Sequence, residues 1–140
     1  MDLAKAVSLT NVGVHVWIPW IAISTASLMP IVALLLLSAL IGTLKNVLQL
    51  PRPPGARGCD AFGIKGVSHT YGMPSGHVAT AVFGWMVIAK HYGYSPLKAG
   101  IAAGIVMTWS RCAVGCHTML QGVVGGLIGF GWFELFAAVV

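Results

Sequence analysis

Charge is what this sequence has least of. Only 8% of its 140 residues are Asp, Glu, Lys or Arg, where a soluble domain carries roughly 25%. A water-soluble fold of this length could not cover its surface with so few charges. A buried subunit of a larger assembly could share the composition. However, hydrophobic residues make up 57% and are spread along the whole chain, which points to an integral membrane protein. Acidic residues are the scarcest, three against eight basic ones, for a formal net charge of +5. The basic residues form no continuous stripe with exposed aromatics, so nucleic acid is not an expected partner. Cysteine is scarce too. Cys59, Cys112 and Cys116 do not make a disulfide framework, and a metal site would need more soft ligands at usable spacing. Cys112 and Cys116 are four apart and read as small packing residues on one helix face. A short basic, apolar and cleavable leader is also missing.

What the chain does have is apolar runs, and its length fits one domain, residues 1–140. Residues 12–28 are nearly uncharged. Trp17 and Trp20 stand near the start of this run, as in an interfacial aromatic belt, and Pro19 is a kink or first-turn residue. Met29-Pro30 separates it from a second run, 31–50. About 20 residues at 1.5 Å each match a hydrocarbon core of roughly 30 Å. Further spans read at 77–92, 97–111 and 116–140. The expectation is an all-α, polytopic membrane bundle of about five transmembrane helices. Gly100 and Gly104, Gly122 and Gly126, and Gly125 and Gly129 are each four apart, a spacing that lets helices pack closely in lipid. It leaves the oligomeric state open.

The segment 51–76 is the one long polar connection, rich in Pro and Gly. Connections of that length usually carry function. With five spans, the second ends near Lys45 and Arg52 and the third begins at His77. The fourth ends at Ser110 and Arg111, and the fifth leaves from His117. Four sequence-distant polar clusters therefore meet at one membrane face. Three permanent cations and two histidines describe an anion site. Arginine offers paired planar donors that match phosphate oxygens, and lysine adds a compact charge. The turn Pro74-Ser75-Gly76-His77 leads into a helix whose first N–H groups favour an anion. Two histidines then suggest phosphoryl transfer. One attacks phosphorus; the other protonates the leaving oxygen and afterwards activates water. Gln121 lies four residues after His117, on the same helical face. Its carbonyl can accept a hydrogen bond from one ring nitrogen and leave the other free.

Three stretches carry a resemblance: Lys45, six residues and Arg52-Pro53; Pro74-Ser75-Gly76-His77; and Ser110-Arg111, five residues and His117. In order and spacing they resemble the three motifs of the type 2 phosphatidic acid phosphatase superfamily. The resemblance covers residues 45–121 and implies a bundle with that family's core. It casts His117 as nucleophile and His77 as acid and base, with Lys45, Arg52, Ser75, Gly76 and Arg111 holding the phosphate. It implies no cofactor and no metal. The family pattern usually places Asp four residues after the nucleophile, where this chain has Gln121. Together with Tyr71-Gly72-Met73 and Thr118, that glutamine resembles the dolichyl diphosphatase branch, although Gly76 stands where that branch usually has serine.

The branch resemblance implies a polyprenyl diphosphate cut to the monophosphate through a phosphohistidine, in the endoplasmic reticulum or an equivalent internal membrane. Arg57, Lys65 and His69 are then candidate contacts to a headgroup or second phosphate. Family lipid phosphatases commonly have six membrane helices, so five spans imply that one peripheral span near the N-terminus is missing. The soluble haloperoxidases that share the site are larger and polar, which the hydropathy here opposes. Two other functions fit the same residues. One is a catalytically weak lipid-binding scaffold, motivated by Gln121 and the missing span. The other is a lipid phosphotransferase, with an acceptor other than water.

Overall fold

A computed structural model describes residues 3–9, 11–25, 27–56, 59 and 71–139. The expected all-α architecture is present, with six helices among the described residues: α1 (Leu3–Leu9), α2 (Asn11–Ser24), α3 (Met29–Leu48), α4 (Gly76–His91), α5 (Pro96–Ala113) and α6 (Met119–Val139). The last five correspond to the five apolar runs. The sixth element is α1, in the mixed N-terminal segment, which packs on α5 and α2. By length and composition, two segments could cross a membrane on their own, Met29–Leu48 and Met119–Ala138.

Several boundaries differ from the sequence expectation, for local reasons. The first run stops at Ser24, where the hydroxyls of Ser24 and Thr25 donate to the Ile21 carbonyl and close the helix end; Pro19 lies inside α2. Pro30 sits in the first turn of α3, where its missing N–H costs nothing. That helix ends at Gln49, in the left-handed region at φ 50°. Most consequential for the site, α6 starts at Met119 rather than at 116. The Arg111 carbonyl accepts from the N–H groups of both Cys116 and His117, and Gly115 takes φ +72°. The chain therefore turns before α6, and His117 sits in the turn. Cys116 accordingly shares no helix with Cys112, as the four-residue spacing had suggested.

The centre of the bundle is α4, which packs against α2, α3, α5 and α6. Its buried residues include Val78, Ala79, Ala81, Val82, Phe83, Met86 and Val87, so apolar side chains face neighbours on nearly every side. Helix α6 comes closest. A Cβ on Gly125 would overlap the Ser75 carbonyl oxygen, and one on Gly129 the Ala79 carbonyl oxygen. The four-residue glycine spacing therefore serves contact within the chain, backbone against backbone. It sets the start of α6 beside the start of α4. Polar ties lock the remaining helices. Asn11 donates to Thr80 at 3.0 Å, joining α2 to α4, and the Trp132 indole donates to the Ala33 carbonyl at 2.9 Å, joining α6 to α3.

Candidate active site

One end of the bundle gathers the ends of α3 and α5 and the starts of α4 and α6. The long connection is closed at its base there. Pro51 and Tyr71 pair as an antiparallel bridge, and the Gly72 N–H donates to the Leu50 carbonyl at 2.7 Å. This brings residues 45–56 and 71–77 side by side. Next to them lie Arg111, at the end of α5, and His117, in the turn before α6. Arg57, Lys65 and His69 fall outside the described residues.

Each cation of the site has a backbone carbonyl partner. Lys45, 5% exposed, donates from Nζ to the Tyr71 carbonyl at 3.0 Å. Arg52 donates from Nη1 to the Cys116 carbonyl at 3.2 Å. Arg111, 4% exposed, donates from Nη2 to the Cys59 carbonyl. Cys59 and Cys116 are joined by a disulfide, with Cα atoms 5.4 Å apart. The two arginines are thus held by the two halves of one cystine. The sequence reading missed this pair, taking the cysteines as packing residues; Cys112 is the free one. A signal was available, since Cys116 directly precedes the histidine and Cys59 lies in the polar connection. The Tyr71 and Pro51 carbonyls carried none, because any residue supplies a carbonyl.

Gln121 makes three contacts that fix both it and His117. Its Oε1 lies 3.2 Å from His117 Nδ1 and accepts the Thr118 N–H at 3.2 Å. Its Nε2 donates to the Pro51 carbonyl at 2.9 Å. Reversing the amide would set its NH2 against the Thr118 N–H and its oxygen against the Pro51 oxygen. The amide is therefore fixed, and Nδ1 of His117 must carry the proton it shares with Oε1. A carboxylate could not donate to Pro51. This gives a local reason for glutamine where the family pattern has aspartate. Gly72 leaves the room, since a Cβ there would fall 2.6 Å from the Gln121 amide nitrogen.

The other ring nitrogen, Nε2, lies 3.3 Å from Arg52 Nη1. His117 is 4% exposed. Burial, and then the charges of Arg52, Lys45 and Arg111, hold its pKa at about 3, against a smaller opposing effect of the Gln121 hydrogen bond. At neutral pH the imidazole is therefore uncharged, with a lone pair on Nε2. The charges of Arg111, Arg52 and Lys45 also act on His77, in the first turn of α4.

Ser75 occupies the N-cap position of α4 but caps nothing there. Its side chain accepts from no helix N–H, and its hydroxyl is fully buried without a hydrogen-bond partner among the described residues. Its own N–H donates to the Gln121 carbonyl at 3.1 Å, tying the starts of α4 and α6 together. Gly76 follows as the first residue of α4, close against Ile41, whose Cγ2 would lie 3.3 Å from an added Cβ. The structure thus brings together Lys45, Arg52, Ser75, Gly76, His77, Arg111, His117 and Gln121. It surrounds a neutral imidazole with three cations, an uncommitted hydroxyl and a helix start. Such an arrangement can hold a tetrahedral oxyanion and attack its centre.

Lipid A 4'-phosphatase of Helicobacter pylori (strain J99 / ATCC 700824) is 39% identical over 67 residues, covering 48% of this chain and 34% of that protein. The match spans about a third of that relative's length. No solved structure matches. The pattern of the PAP2 superfamily matches residues 26–140, which include every residue of the site. The chain belongs to the PAP2 superfamily.

Proposed function

We propose that this chain is a multi-pass membrane phosphatase that removes a terminal phosphoryl group from a phosphorylated lipid through a phosphohistidine. One observation carries the reading: Arg52 and Arg111, held by the carbonyls of a single cystine, flank a neutral His117 whose tautomer Gln121 sets. The phosphoryl oxygens take the donors of Arg52, Arg111, Lys45, Ser75 and the first turn of α4. The entering phosphate anion offsets the surrounding cations and favours protonation of His77; Nε2 of His117 then attacks phosphorus while His77 gives that proton to the departing oxygen. His77 then takes a proton from water as the water attacks the phosphohistidine, and inorganic phosphate leaves. Arg52 stays on the equatorial oxygens throughout, moving from the imidazole to the anion as substrate enters.

The substrate is a lipid whose phosphate reaches the site from the bilayer. The Tyr71-Gly72-Met73 stretch and Gln121 favour a polyprenyl diphosphate; the name of the Helicobacter relative favours a lipid A phosphate. The cystine supports an oxidising side for the site, an endoplasmic reticulum lumen or a bacterial periplasm, since disulfides persist there. Gln121 had motivated a scaffold reading. Its three contacts support an orienting role in an active site.

The test is phosphate release by the purified protein in detergent, offered a polyprenyl diphosphate and a lipid A-type phosphate in parallel, beside the His117→Ala variant. Release from either substrate that disappears in the variant is expected. Equal release by the variant, or release from neither, sinks the reading. Recovery of the phosphoryl group on an added alcohol rather than in water would make the protein a transferase.

A further inference from the structure

Outside the site, a groove between α5 and α6 has a volume of about 400 Å³. Val82 of α4 lies at its floor, Ile101 and Ile105 line its α5 wall, and Val123 and Leu127 line its α6 wall. One end is formed by Thr108 and Trp109 of α5 and by Met119 of α6. Trp109 is two residues before Arg111, and Met119 is two residues after His117. The groove therefore starts beside the site and runs away from it along both helices. From Gly100 to Trp109 that is about 13 Å at a rise of 1.5 Å per residue.

Two occupants are conceivable, a helix of a second copy or a hydrocarbon chain, and the dimensions choose between them. A helix about 10–12 Å across needs roughly 400–600 Å³ for each 5.4 Å turn. The whole groove would hold one turn at most, although it is more than two turns long. Two of the glycines that line it, Gly100 and Gly122, are also committed inside the chain. A Cβ on Gly100 would meet the Met86 side chain, and one on Gly122 would overlap Thr108. A long, narrow, apolar channel that opens beside an anion site matches a single hydrocarbon chain attached to a phosphate.

We propose that the α5–α6 groove binds a hydrocarbon chain of the substrate lipid, with the lipid's phosphoryl group among Arg52, Arg111 and His117. This rests on the lipid-phosphatase reading and adds to it how chain length is sensed. Moving methylenes from water into the groove favours binding, so for a monomeric ester a chain that fills the groove raises kcat/KM about tenfold or more over a stub.

The test compares dodecyl phosphate with butyl phosphate, both below their aggregation concentrations. Gly104 and Gly126 can accept a side chain, because an added Cβ would lie 3.4 Å from Val82 and 3.7 Å from Val78. Gly104→Leu with Gly126→Leu fills the groove from its floor; Ile105→Trp blocks it from an exposed position if the double variant does not fold. Wild type is expected to prefer the dodecyl ester by tenfold or more. The blocked variants lose that preference, while their rate on butyl phosphate, too short to reach the groove, stays within about twofold. A preference that survives blocking overturns the proposal.

A second readout does not depend on turnover. Dodecyl phosphate with a terminal diazirine should label wild type on α5 and α6 near Ile105 and Leu127, and the labelling should fall in the blocked variants. Labelling elsewhere overturns the proposal, as does cross-linking between copies through Ile105→Cys. If wild type hydrolyses neither ester, the labelling alone decides the groove, while the two lipid substrates named above decide the phosphatase reading.

Discussion

The two ends of the bundle carry the same kinds of side chain in opposite settings. At the α4–α5 turn, Lys90, His91 and Lys98 stand exposed. At the other end, Lys45, Arg111 and His117 are buried among four converging segments, and each cation has a carbonyl partner. The difference comes from the connections. At the far end a short turn through Gly93, at φ +75°, joins α4 directly to α5, so nothing folds back to cover the charges. At the site end the long connection returns through the Pro51–Tyr71 bridge and the Cys59–Cys116 cystine. The comparison teaches that basic residues alone do not make this site; the returning connection gathers and buries them around one neutral imidazole.

Removing the imidazole should break the contrast most completely. His117→Ala is expected to lower phosphate release by about 10⁴-fold or more, measured as kcat on a lipid phosphate. Next come the arginines. Arg52→Ala and Arg111→Ala should each cost about 10²–10³-fold. Lysine at either position should restore only part of this, because it cannot serve a carbonyl and a phosphate with one planar fork.

A smaller effect tests what holds the arginines. Cys59→Ser, or reduction by dithiothreitol, should lower kcat/KM about tenfold, as loss of an outer-shell partner commonly does. Cys112→Ser should leave kcat/KM unchanged and the reductant effect intact. At the exposed end, Lys90→Ala and Lys98→Ala should shift stability by less than about 0.5 kcal/mol in denaturant titration and leave turnover within twofold. A large loss there would erase the distinction between the ends.

Much of this was legible before any coordinates. Apolar runs broken at Met29-Pro30 and at Gly93–Pro96 located five helices within a few residues, because in so uncharged a chain proline and glycine are the main punctuation. The convergence of Lys45, Arg52, His77, Arg111 and His117 followed from span parity. What stayed hidden was made by backbone groups or by distant pairing. Nothing in the residue types announced that Pro51 and Tyr71 would pair, that the Cys59 carbonyl would hold Arg111, or that Ser75 would decline to cap its helix. Gly125 and Gly129 were visible as a close-packing pair, but not that their partner was the backbone of α4.

The central claim is that His117 takes the phosphoryl group onto Nε2. The direct measurement is mass spectrometry of the protein quenched at neutral to alkaline pH during turnover of an aryl phosphate, whose leaving oxygen needs no proton, in wild type and in His77→Ala, where dephosphorylation is then the step slowed. The account predicts phosphohistidine at residue 117, more abundant in His77→Ala and absent from His117→Ala. Hydrolysis that proceeds with residue 117 unmodified in both, or with the phosphoryl group on another side chain, would contradict it.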